Sequence, residues 1–203
     1  MLGNYTEYDP VDYELDGKVV ECVRSSASAV KAVKGPDRTF AFIPFSLYHN
    51  VFGTPEERKY SELASQLLNE AKSSTEVIGD SAVFVVPNSG RFGLTKSAKV
   101  RVEGVKAYEY REREGGISFL QNYAFLKLYE ALKDVREDLE VYVDMTHGVN
   151  YTSFLISDAV RALVQALVVS ANSPPDLKKG VKATVTFYNS DVYIRGTVEY
   201  AKC

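Results

Sequence analysis

The residues best suited to chemistry stand together in Asp144-Met145-Thr146-His147-Gly148-Val149-Asn150. Here an apolar run gives way, within seven residues, to an acid, a hydroxyl, an imidazole, a glycine and an amide. Gly148 permits close backbone approach, and Thr146 and Asn150 can hydrogen-bond a base, a ribose or a phosphate. Asp144 or Thr146 can equally cap a following helix, with His147 filling a core niche. Asn88-Ser89-Gly90 forms a second short polar cluster, and Gly3-Asn4-Tyr5 a third. Arg24-Ser25-Ser26 sets a cation beside two hydroxyls, a phosphate grip or a surface arginine opening a short helix. Arg91 follows the second cluster and can reach an anion. Lys96, Lys99, Arg101 and Lys106 interleave with Tyr108 and Tyr110, which fits either cover for a nucleotide or a solvated hairpin face.

Inventory removes several chemistries. With two histidines, His49 and His147, and two cysteines, Cys22 and Cys203, no spaced ligand set for zinc exists and no metal is expected. The cysteines supply no disulfide framework, which points to a reducing compartment, the cytoplasm. No phosphate-binding G-x-x-x-x-G-K-[ST] loop and no G-x-G-x-x-G dinucleotide fingerprint occurs, so no nucleotide cofactor is implied. Ser89 lacks the flanking glycines of a nucleophile elbow. Twenty-four basic against 27 acidic residues leave a net charge of −3, too little field to hold duplex DNA. The most apolar stretch, 154–169, is broken by Ser157, Asp158, Arg161 and Gln165, and reads as a core helix with no role in a membrane.

The elements that must position these residues alternate. A chain of 203 residues, 45% apolar, can bury one sizeable core, so a single domain over 1–203 is expected. Strands are predicted at 18–23, 39–43, 82–86, 139–143 and 181–188, with a first strand expected upstream of Gly3. Helices are predicted at 25–33, from the capping signal Thr54-Pro55-Glu56-Glu57 to about 72, at 118–133, and from about 150 to 170. The stretch of about 94–116 reads as a surface insertion or hairpin, and 181–200 as a C-terminal β-hairpin around Asn189-Ser190-Asp191. The fold class is α/β, a Rossmann-like, mostly parallel sheet flanked by helices. In such folds ligands bind at the carboxyl ends of the strands, where the polar clusters are expected to lie.

A hydrophobic strand, then D-x-T-H-G-x-N with an aromatic at Tyr151, then a long apolar helix, resembles the CRISPR-associated Rossmann fold (CARF) of type III ancillary proteins. The likeness is nearest to the group joined to a HEPN ribonuclease. Leu2-Gly3-Asn4-Tyr5 resembles that family's first ligand loop, and Arg24-Ser25-Ser26 its following polar turn. The resemblance implies a homodimer that binds a cyclic oligoadenylate, most often the tetra-adenylate, as a sensor in antiviral defence. It implies ligand contacts from Gly3, Asn4, Tyr5, Arg24, Ser25, Ser26, Asn88, Ser89, Gly90, Asp144, Thr146, His147, Gly148 and Asn150. The family's full first strand has only Met1 and Leu2 before Gly3 here, and the R-x(4-6)-H motif of a HEPN ribonuclease does not occur. Whether the domain also cleaves its ligand is open. A metal-independent ring nuclease would draw on His147, Lys106 and Arg91. A Rossmann-like protein that binds an ordinary mononucleotide, unrelated to CRISPR, is the remaining reading.

Overall fold

The computed structural model describes residues 8–45, 47–52, 60–74, 81–86, 99–100, 108–109, 116–146, 150–172 and 181–189. The described residues open with a hairpin, β1 (Val11–Leu15) and β2 (Lys18–Val23), paired antiparallel with Leu15 opposite Lys18. Its turn, Asp16-Gly17, has φ of 52° and 74°. Positive φ at both central residues is what a two-residue turn matching strand twist requires, and Asp-Gly meets it at little cost. Strand β1 is additional to the predicted elements. Its signal is the alternation of Val11, Tyr13 and Leu15 before that turn.

Helix α1 (Ser26–Lys34) is capped at both ends by its own sequence. Ser25, with extended backbone, accepts the Ser28 N–H on its hydroxyl, and Gly35 at φ 57° donates its N–H to the Lys31 carbonyl. Then follow β3 (Phe40–Pro44), the short α2 (Leu47–Phe52), α3 (Tyr60–Ser74) and β4 (Ala82–Val86). Strands β3 and β4 are parallel and in register from Phe40–Ala82 to Pro44–Val86, since helices cover the long connection that parallel strands need. The capping residue expected for α3, Thr54, lies outside the described residues. Leu63, Leu67 and Ala71, at helical spacing along α3, are buried against Ile43, Phe45 and Tyr48.

Two short strands, β5 (Lys99–Val100) and β6 (Tyr108–Glu109), pair antiparallel. Helix α4 (Gly116–Leu132), β7 (Leu139–Asp144), α5 (Asn150–Asn172) and β8 (Ala183–Tyr188) complete the described elements. Strand β8 runs parallel to β7, with Leu139 opposite Ala183 and Asp144 opposite Tyr188. The second arm of the expected C-terminal hairpin lies outside the described residues. The larger core joins Phe42 and Val86 of the first parallel pair to Val143 of the second, and to Leu120, Ala124 and Leu128 of α4 and Ala159, Leu163 and Leu167 of α5. The mixed α/β, Rossmann-like architecture expected from the alternation of elements is therefore present.

Helix α5 is long and apolar enough, over Thr152–Ala171, to cross a membrane by length and composition. It packs as a core helix, its buried face against α4 and its Arg161 guanidinium 4.8 Å from the centre of the Phe187 ring. Cys22 is disulfide-bonded. The reading of the two cysteines as supplying no disulfide framework is corrected to that extent, because bridge formation depends on how closely two Cβ atoms approach, which spacing along a chain does not reveal.

Candidate functional site at the carboxyl end of β7

Strand periodicity decides which way the acid faces. Leu139, Val141 and Val143 alternate into the core, so Glu140, Tyr142 and Asp144 lie on the opposite face of β7, where α1 packs. Asp144 is the last residue of the strand, and its carboxylate meets the N-terminus of α1. The Ser26 hydroxyl lies 2.9 Å from both carboxylate oxygens. A serine has one proton to give, so this is a single donor shared between two acceptors. The Thr146 N–H donates to Asp144 Oδ1 at 3.2 Å, turning the chain sharply as it leaves the strand. Between them the Met145 N–H donates to the Tyr188 carbonyl at 2.9 Å, which continues the ladder to β8. Ser153 of α5 donates to the Met145 carbonyl at 3.4 Å.

Tyr13 enters this cluster from β1. Burial is the main reason its phenol pKa lies above the ordinary value. The Asp144 charge acts in the same direction, and a hydrogen bond to the Ser26 backbone opposes both. A bond that favours the phenolate must come from a donor, so it is the Ser26 N–H that faces the phenol oxygen. Tyr13 is absent from the sequence-derived candidates. The alternation that marks β1 places it on one face with Val11 and Leu15, but not beside Asp144.

The structure thus brings two of the expected clusters together. Ser25 is wholly buried and Ser26 is 6% exposed, with both hydroxyls engaged inside the chain, whereas Arg24 is exposed at the same end of α1. Asp144 and Thr146 are half-buried beside them. Asn150 begins α5, and the buried hydroxyls of Thr152, Ser153 and Ser157 follow it in the helix. Gly3, Asn4, Tyr5, Asn88, Ser89, Gly90, Arg91, Lys106, His147 and Gly148 lie outside the described residues. Among the described residues, no three His, Cys, Asp or Glu side chains are grouped to share a metal ion.

At this end of β7, then, one cation, a capped helix and a carboxylate-fixed turn adjoin one another. Such an arrangement can orient a polar, anionic ligand through short side chains and backbone amides. The chain matches, over residues 1–191, the family model described as the CRISPR system endoribonuclease Csx1, CARF domain. It is also 26% identical over 195 residues to the CRISPR system endoribonuclease Csx1 of Methanocaldococcus jannaschii. That alignment covers 95% of this chain and 36% of the relative, so the chain spans little more than a third of the relative's length.

Proposed function

The chain belongs to the Csx1 CARF-domain family, and from that premise we propose that it binds a cyclic oligoadenylate between two copies of itself as the sensor of a type III CRISPR response in the cytoplasm. The reading is supported above all by one observation. The Ser26–Asp144 contact gathers the Arg24–Ser26 and Asp144–Thr146 segments at the carboxyl end of a parallel strand, where open α/β folds hold their ligands.

The chemistry fits a small cyclic RNA. A cyclic tetranucleotide has symmetry of its own, so an isologous dimer offers the same loops twice to one ring and doubles each contact. Arg24 suits a phosphate, and Thr146 and Asn150 suit ribose hydroxyls and adenine edges. Ser25 and Ser26 shape the turn that presents Arg24. The relative's name speaks of an endoribonuclease. Only the sensing part is ascribed to the residues of this chain, since the ribonuclease motif expected for that activity does not occur in them.

Labelled cyclic tetra-adenylate mixed with purified protein, with oligomeric state followed by light scattering, tests the proposal. Retention of the intact ring by a dimer, lost in Thr146→Ala and Asn150→Ala, is expected. Linear products formed within minutes would replace the sensor with a ring nuclease. Retention unaffected by both substitutions would remove the site assignment, and binding of a mononucleotide in place of the ring would remove the CRISPR reading.

A further inference from the structure

Ser26 and Asp144 are separated by 118 positions in the chain, yet the Ser26 hydroxyl oxygen stands 2.9 Å from each carboxylate oxygen and donates its one proton between them. The same carboxylate orients the first amide beyond Met145, Thr146 N–H, through Oδ1. The two contacts constrain one another. A carboxylate is planar, and the rotation that keeps both oxygens equidistant from the Ser26 hydroxyl also fixes where Oδ1 points. If Ser26 withdraws, one of the contacts that hold the plane is lost and the bond to Thr146 lengthens.

The surroundings make that exchange costly to escape. Ser26 is 6% exposed, so its hydroxyl finds little water to replace the acid. The Ser26 backbone is held from the other side by Tyr13, itself half-buried next to Asp144. Ser25 caps the helix through Ser28 and fixes the direction in which Ser26 leaves it.

We propose that Asp144 is a positioning residue: through the Ser26 hydroxyl on one side and the Thr146 amide on the other, it couples the order of the segment leaving β7 to the seating of the α1 N-terminus. Where the ligand comes in, this rests on the function proposed above, and a ring that orders Thr146 would thereby tighten α1 as well. The coupling itself exists without ligand.

Amide hydrogen exchange in the full chain, with and without cyclic tetra-adenylate, tests it. In the free protein, Ser26→Ala is expected to speed exchange at Thr146 by roughly tenfold, with Leu67 and Leu163 in the cores unchanged. Asp144→Asn, whose amide keeps one acceptor oxygen and cannot hold both contacts as the carboxylate does, is expected to act likewise. The double variant should exchange no faster than either single, because both remove one and the same link. Ser26→Thr, which restores the hydroxyl, should restore protection. Cyclic tetra-adenylate should bind Ser26→Ala about tenfold more weakly than wild type.

Unchanged exchange at Thr146 in Ser26→Ala, additive effects in the double variant, or acceleration spread evenly through the cores would each overturn the coupling. Should Ser26→Ala not fold, the comparison of Asp144→Asn with wild type decides by the same criterion at Thr146. A wild-type chain that does not retain the ring would count against the ligand reading alone, and exchange in the free protein would still decide whether Asp144 links the two segments.

Discussion

The ammonium of Lys34 stands 5.3 Å from the centre of the Tyr142 ring, two residues before the carboxylate that receives Ser26 at the opposite end of the same helix. Lys34 also pairs with Asp16 in the β1–β2 turn. Its pKa is raised, chiefly by the hydrogen bond to Asp16 and next by one to Tyr188. Helix α1 is thus fastened to β7 at both ends, by a part-buried charge-assisted bond at the start and a partly exposed cation at the finish. These two fastenings are unequal. The one at Lys34 is screened by water and salt, while breaking the one at Ser26 takes a donor from a half-buried acid.

Replacing Ser26 by alanine is therefore expected to lower the unfolding free energy by about 1–3 kcal/mol, the usual cost of depriving a buried polar group of its partner. Urea denaturation curves of wild type and variant measure this. A change in midpoint at constant slope is the expected form.

Tyr13 gives stability a dependence on alkaline pH. Burial first, and the Asp144 charge second, raise its pKa above the ordinary 10.0, so the folded chain holds the phenol proton more tightly than the unfolded one does. The associated stability is complete below pH 10.0 and is lost as pH rises through the higher folded value. Tyr13→Phe cannot titrate there. The stability of wild type minus that of Tyr13→Phe, from urea curves between about pH 8 and 11, should fall only above the ordinary phenol value.

Gly35 ends α1 at φ 57°, and nothing stands within 4 Å of where a Cβ would be. The cost of Gly35→Ala then comes from the left-handed backbone alone, about 1–2 kcal/mol. Gly35→Asn should cost less, since asparagine tolerates that conformation. Thermal melting orders the three proteins.

Arg24 is exposed at the end of α1 that carries the candidate site. If it meets a phosphate, Arg24→Ala should weaken retention of cyclic tetra-adenylate several-fold and flatten its dependence on salt, with the melting temperature unmoved. A fall in melting temperature that accounts for the weaker binding would argue against a direct contact.

Elements governed by a local rule are legible in the chain itself. Strand β4 coincides with the apolar run 82–86, and the buried residues Leu120, Ala124 and Leu128 follow one another at helical spacing within the predicted helix 118–133. Leu126 of the same helix is 54% exposed, because the apolar seam of α4 is narrower than its composition. Helix α2, Leu47–Phe52, has too few residues to show a period and is not among the predicted helices. Strand β1 escapes for a related reason: with five residues its alternation is brief, and what makes it a strand is its pairing with β2 across the turn.

Local order in the chain dictates the alternation of strands and helices, the helix caps at Ser25 and Gly35, and the abrupt polar segment after β7. Each depends on residues a few positions apart, whose energies are fixed by backbone geometry and hydrophobic period. Folding in three dimensions is what stands Ser26 and Tyr13 at Asp144, turns the carboxylate's acceptors toward donors within the chain, and lays β8 parallel to β7. Those relationships join residues far apart in sequence through the burial of shared surface, and no local preference specifies which distant partner a hydroxyl or a strand edge will find.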